Sequence, residues 1–193
     1  MIRQYCTHPM KWLRVLFLAI VLLPSGFAAA QSVFPLPPFS VTTTEGKVID
    51  SSFFRGSITW INFFYEGCAP CMKEIPLLVR LQDHYGEKKL RIIGIAPHSP
   101  SQVKAFAGRK KAQGLDINYT LAGESPEDGQ TGSSPRCHTV SRLFGVSNYP
   151  TSVIADAGGN ILMTLEGFPM RSNEEETFQE MVKMIDGFLV SGR

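Results

Sequence analysis

The feature that most constrains the fold is a junction between a buried strand and a helix. Ile58 to Tyr65 (ITWINFFY) is a nearly continuous apolar run, rich in aromatic and β-branched residues, as a strand covered on both faces requires. After Glu66-Gly67 come Cys68-Ala69-Pro70-Cys71 and then Met72, Ile75, Leu78, Val79, Leu81 and Tyr85 at helical spacing, with Gly86 placed to end the helix. Pro76 falls inside that helix and is expected to kink it. A chain built this way must lay the helix over the strand, with two thiols in its first turn.

The remaining segments supply a sheet around that unit. Val33 to Phe39 is Pro-rich and extended. Phe39–Thr43 and Lys47–Ile49 flank Thr44-Glu45-Gly46 as a β-hairpin, and Ser51 to Gly56 reads as a turn anchored by Phe53 and Phe54. Leu90–Ala96 is a second buried strand. Ser99-Pro100-Ser101-Gln102 has capping-box spacing and opens a helix to about Gln113. Ile117–Leu121 is expected as a third strand, Ala122–Arg136 as a polar loop, and Thr139–Phe144 as a short helix. Thr151–Ala155 and Ile161–Glu166 are strands joined through Asp156-Ala157-Gly158-Gly159-Asn160. Glu174–Val190 is an amphipathic helix with Phe178, Met181, Val182, Ile185 and Leu189 on one stripe. The order implies an α/β sandwich with a mixed sheet, in one domain without internal repeats.

The N-terminus is read apart from the fold. Residues 1 to 14 carry Arg3, Lys11 and Arg14 without an acid, and nine uninterrupted apolar residues follow, Val15 to Leu23. Pro24-Ser25-Gly26 break the run, and Ala28-Ala29-Ala30 set small residues at a cleavage point. Residues 1–30 are therefore expected to be a secretory signal peptide, with Met10 as an alternative start and residues 31–193 as the exported domain. An uncleaved anchor is the rival, but the apolar stretch is shorter than the roughly 20 residues that span a bilayer. No Cys stands at the cleavage point, which excludes a lipoprotein signal.

Cleavage changes the totals. The whole chain has 19 basic and 17 acidic residues. The signal holds three of the former and none of the latter, so the net charge passes from +2 to −1. The short run Arg109-Lys110-Lys111 suits a solvated helix end, and no basic patch remains for a nucleic acid. Three cysteines remain, Cys68, Cys71 and Cys137, an odd number that leaves one thiol over.

At the strand-to-helix junction the Cys68 sulfur faces unsatisfied backbone N–H groups and the positive end of the helix dipole. Both stabilise its thiolate, the species that attacks disulfides. Cys71, one turn on and less exposed, is placed to attack a mixed disulfide and release the product. Three other readings compete. A structural disulfide would close a loop of two residues and restrain little chain. A zinc site of Cys68, Cys71, Cys137 and His138 has suitable ligand types without a second C-x-x-C. Haem attachment needs His at residue 72, where Met stands.

Ile58 to Leu78 (ITWINFFYEGCAPCMKEIPLL) resembles the active-site segment of thioredoxin-fold proteins, in particular the exported TlpA/ResA-type thiol-disulfide oxidoreductases. Pro76 matches the family's helix proline, and Tyr149-Pro150-Thr151 resembles its cis-proline loop. Pro38-Phe39-Ser40-Val41, Glu45-Gly46-Lys47 and Phe54-Arg55-Gly56 resemble its N-terminal hairpin, and Arg91 to Ile95 its next strand. The similarity runs from about residue 36 to 190. It implies a thioredoxin-like three-layer sandwich with a mixed central sheet and an N-terminal β-hairpin. Where relatives carry Trp near the first Cys, this chain has Phe64-Tyr65-Glu66-Gly67. Gly67 is expected to leave the sulfur less covered, and Glu66 to oppose thiolate formation.

The resemblance also assigns roles. Glu74, three residues after Cys71, matches a family Glu and would relay the Cys71 proton; partial burial would raise its pKa toward the working range. Asn62 stands where thioredoxins place a buried Asp, which leaves the acid/base role to Glu74. Pro150 would be cis, opposite Cys68, with Tyr149 walling a substrate groove. Cys137, at the end of the long loop, is either a third redox thiol or an inert one; His98 and His138 receive no role.

The expected activity is therefore thiol-disulfide exchange in the periplasm, with no cofactor and no metal. Pro70, as the second residue between the cysteines, resembles thioredoxin, and that resemblance implies a reductant rather than an oxidant. Such a reductant implies protein disulfide substrates such as apocytochrome c and a membrane thiol electron donor. A peroxiredoxin-like peroxidase is the enzyme rival, but Ile61 and Tyr65 stand where its P-x-x-x-T-x-x-C pattern needs Pro and Thr. A non-enzymatic thiol metal chaperone is the other rival, with Met72 as its only support. Oligomeric state is not legible.

Overall fold

In the computed structural model, residues 34–125, 139–168 and 173–191 are described. The Phe39–Ile49 region forms the hairpin β1 (Ser40–Thr43) and β2 (Val48–Asp50), followed by a 3-10 turn at Ser51–Phe54 that Asp50 caps through its side chain. β3 (Ile58–Phe63) has all six residues buried and feeds α1 (Ala69–Tyr85). Then come β4 (Leu90–Ala96), α2 (Pro100–Ala112), β5 (Thr120–Gly123), α3 (Thr139–Leu143), β6 (Thr151–Ala155), β7 (Ile161–Glu166) and α4 (Glu174–Val190).

The seven strands form one mixed sheet in the order β2-β1-β5-β4-β3-β6-β7. β3 is central because it pairs parallel to β4 on one side and antiparallel to β6 on the other. Period-2 alternation then divides its side chains. Ile58 and Trp60 face a core shared with α1, α2 and α4, while Ile61 and Phe63 face a second core with Val41, Phe54 and Val140. Helices α1, α2 and α4 on one face, and the 3-10 turn with α3 on the other, give the expected three layers. Pro76 lies within α1, which runs on to Tyr85.

Two strands differ from the sequence reading by two residues or more, while the hairpin strands and α3 shift by one. The third strand is Thr120–Gly123 rather than Ile117–Leu121. Its ladder to β4 begins at Ile93↔Thr120, and Ala122 and Gly123, expected in the loop, also pair with β1. Ile117 packs against the core instead, and Asn118 hydrogen-bonds Val79 O and Asp83 on α1. Gly123 is needed there, because a Cβ would stand 2.4 Å from the carbonyl oxygen of His98. The buried strand also stops at Phe63; Phe64 stays buried, but Tyr65 turns outward and is half exposed. Among the described residues no helix is long and apolar enough to cross a membrane. The expected signal at 1–30, Cys137 and His138 lie outside the described residues.

Candidate active site

Cys68 caps α1. Its backbone is extended, and its sulfur accepts a hydrogen bond from the Cys71 N–H at 3.1 Å. Ala69 and Pro70 occupy the first two helical positions, where a missing N–H costs nothing. The two sulfurs are joined as a disulfide with Cα atoms 5.2 Å apart. Cys71 is fully buried and Cys68 is 4% exposed.

The expectation of a less covered sulfur is thus corrected. The Tyr65 ring folds over Gly67, where a Cβ would meet it at 2.9 Å. Tyr65 in turn meets Tyr149 edge to face with ring centres 5.2 Å apart. Glu66 does not stand as a lone charge before the sulfur: Arg109 of α2 binds its carboxylate at 2.7 Å, both side chains half in solvent. The Tyr149-Pro150 bond is cis. Tyr149 packs against the core cluster that contains both cysteines.

Three residues after Cys71 on α1 comes Glu74, 2% exposed, its carboxyl turned toward β3 and β6. Its Oε2 accepts from Asn62 Nδ2 at 2.8 Å and its Oε1 from Ser152 Oγ at 3.3 Å. Ser152 Oγ accepts from Asn62 Nδ2 at 3.1 Å and from Trp60 Nε1 at 2.8 Å. Loss of hydration on burial pushes the Glu74 carboxyl up to about 7, against the two donors, which hold it down. The Glu74 charge also helps raise the pKa of the buried Tyr119 hydroxyl, whose main cause is its own desolvation.

The structure therefore sets Cys68, Cys71 and Glu74 in the first two turns of α1 and packs Tyr149, which precedes cis-Pro150, against the core cluster that holds both cysteines. Trp60 and Ser152 were not anticipated. The signal for Ser152 is its place in strand TSVIA, where period 2 puts a hydroxyl on the same face as buried Ile154. A polar residue there needs a partner. Among the described residues no cluster of three or more His, Cys, Asp or Glu is arranged to hold a metal.

Such an arrangement suits disulfide exchange: a sulfur at a helix N-terminus, a buried second sulfur, and a carboxyl that titrates near neutrality. Comparisons with known proteins agree. The AhpC/TSA family pattern matches residues 34–163. The thiol-disulfide oxidoreductase ResA of Bacillus anthracis is 30% identical over 173 residues, covering 82% of this chain and 91% of the relative. ResA of Bacillus thuringiensis subsp. konkukian is 28% identical over 187 residues, covering 89% of this chain and 99% of the relative. Among solved structures, a thiol:disulfide interchange protein of the thioredoxin family from Chlorobium tepidum superposes with a TM-score of 0.58 at 28% identity. That match covers 81% of this chain and 99% of that one.

Proposed function

Because the chain belongs to the AhpC/TSA family and is a thiol-disulfide oxidoreductase, we propose that it works outside the cytoplasm as a reductant of protein disulfides. The observation that carries this reading is the Cys68–Cys71 disulfide at the start of α1 with Glu74 buried beside it. In the reduced enzyme the Cys68 thiolate attacks a substrate disulfide. One S–S bond breaks, a mixed disulfide forms, and the first substrate thiolate leaves. Glu74 takes the Cys71 proton, and the Cys71 thiolate attacks Cys68 Sγ. The enzyme disulfide forms, the second substrate thiolate leaves, and two electrons have passed to the substrate.

The backbone beside cis-Pro150, with Tyr149, would hold the extended substrate segment. Residues 1–30 support export, and the net charge of −1 that remains without them gives no reason to invoke a nucleic acid. An oxidising compartment requires a membrane thiol donor to restore the dithiol, and apocytochrome c is a fitting substrate class. Cys137 is a candidate third thiol in that exchange.

Trapping tests the reading. With Cys71→Ser, a disulfide-bonded protein substrate should accumulate as a mixed disulfide on residue 68. Equal trapping in Cys68→Ser would overturn the assignment of the nucleophile. The peroxidase reading is favoured only by the breadth of the AhpC/TSA match. It requires peroxide to convert the Cys68 thiolate to a sulfenic acid, with release of hydroxide, faster than a protein disulfide captures that thiolate as a mixed disulfide, a rate comparison that separates the two.

A further inference from the structure

The side chains that hydrogen-bond to Glu74, Asn62 and Ser152, both do so as donors. The Trp60 indole N–H can only donate, so Ser152 Oγ must accept from it at 2.8 Å. Asn62 Nδ2 has two hydrogens; one lies toward Ser152 Oγ and the other toward Glu74 Oε2. Ser152 Oγ, already accepting twice, has one proton to give, and Glu74 Oε1 is in reach. The remaining acceptor of the set, Asn62 Oδ1, is buried with no partner and is turned away from the carboxyl by the bonds its nitrogen makes.

Asn62 and Ser152 each donate to a carboxylate and, as they are oriented, neither offers an acceptor to a carboxylic acid. Once Glu74 is protonated, its O–H finds no lone pair on the Asn62 nitrogen, and Ser152 Oγ has its acceptor positions filled. We propose that Trp60, Ser152 and Asn62 form a directional donor array that makes Glu74 return its proton toward the sulfur pair rather than share it with the core. The inference rests on the reading of Glu74 as the proton relay and assigns the three side chains as positioning residues. Asn62 and Ser152 act through their bonds to Glu74, and Trp60 through Ser152.

Other ionisable groups also face this carboxyl. Cys71 lies one turn before it on α1, and the Tyr119 hydroxyl senses its charge from the segment before β5. From α4, Glu180 and Lys183 line the same cleft, of about 780 Å³, as Glu74 and Trp60. Tyr119 titrates far above neutrality, and replacing Glu180 and Lys183 by Gln and Met tests the α4 pair separately.

The test is a pH titration of the reduced full-length protein with carboxyl-labelled glutamate, read by NMR at Glu74, beside the pH profile of mixed-disulfide release. Ser152→Ala and Asn62→Ala each remove a donor to the carboxylate. Each should move the Glu74 midpoint upward by on the order of one unit, a tenfold change in its ionisation equilibrium, with the release profile following. Ser152→Thr restores the hydroxyl and should restore the midpoint. Glu74→Gln separates the two ideas. If it leaves the release profile unchanged, the relay reading fails. If it flattens the profile while Ser152→Ala and Asn62→Ala leave the Glu74 midpoint in place, the donor array is overturned and the relay stands. Should either Ala variant fail to fold, Trp60→Phe is read the same way, since freeing Ser152 Oγ of one donor lets it accept from neutral Glu74 and raises the midpoint.

Discussion

Asn62 Nδ2 lies 2.8 Å from Oε2 of Glu74, and both side chains are closed off from solvent. The pair joins the central strand to the helix that carries the cysteines, so the carboxyl cannot leave the neighbourhood of Cys71 without breaking a buried hydrogen bond. Burial raises its pKa and the donors pull it back, and the balance falls where a group can both take and return a proton at neutral pH.

Release of the mixed disulfide should speed up as pH rises through about 7, as Glu74 becomes able to accept the Cys71 proton. Replacing Glu74 by Gln removes that acceptor. A rate about tenfold or more lower at pH 7, with the limb near neutrality gone, is expected in single-turnover release measurements.

Glu74 also makes stability depend on pH in an unusual sense. Its folded pKa, about 7, lies above its ordinary 4.5, so between those values the folded protein binds more protons than the unfolded chain. Stability is therefore favoured on the acid side and declines as pH rises from about 4.5 through 7, by on the order of 3 kcal/mol. Denaturant titrations at pH 5 and pH 8 should show this decline in the parent and a flatter profile in Glu74→Gln.

How far the chain can be read without coordinates depends on what each residue answers to. Ala69–Tyr85, Leu90–Ala96, Thr151–Ala155, Ile161–Glu166 and Glu174–Val190 form at the bounds their periodicity implies, because caps and alternation are local. Ile117–Tyr119 alternates like a strand, yet alternation serves equally for docking on a helix, and only the partner chosen by Asn118 separates the two. At the site, the cysteines and Glu74 are legible from spacing and likeness. Ser152 is not, because its partner Trp60 lies 92 residues earlier in the chain and meets it only once β3 and β6 pair.

Gly123 closes β5 against the turn before α2. A Cβ there would press on backbone, 2.4 Å from His98 O and 2.6 Å from Pro100 N, and backbone cannot rotate away. Gly123→Ala should cost about 3 kcal/mol of stability, measured by chemical denaturation, whereas Gly108→Ala on α2, with open space at its Cβ, should be neutral or slightly stabilising.

Arg109 holds the Glu66 carboxylate two residues before the nucleophile. The pair is exposed, so Arg109→Glu should change stability by less than about 1 kcal/mol. It leaves two unpaired negative charges near Cys68, and attack on a disulfide should slow by roughly twofold at low salt, the difference shrinking as salt screens it.

The central claim is that Cys68 and Cys71 interconvert between dithiol and disulfide as one redox couple. A glutathione redox titration of the purified protein, with acid-quenched thiol trapping and mass spectrometry of the cysteine pairing, tests it most directly. The account requires a two-electron transition carried by Cys68–Cys71. A pair that stays reduced, or stays oxidised, across the whole titration would contradict it, as would a transition carried by a different pairing.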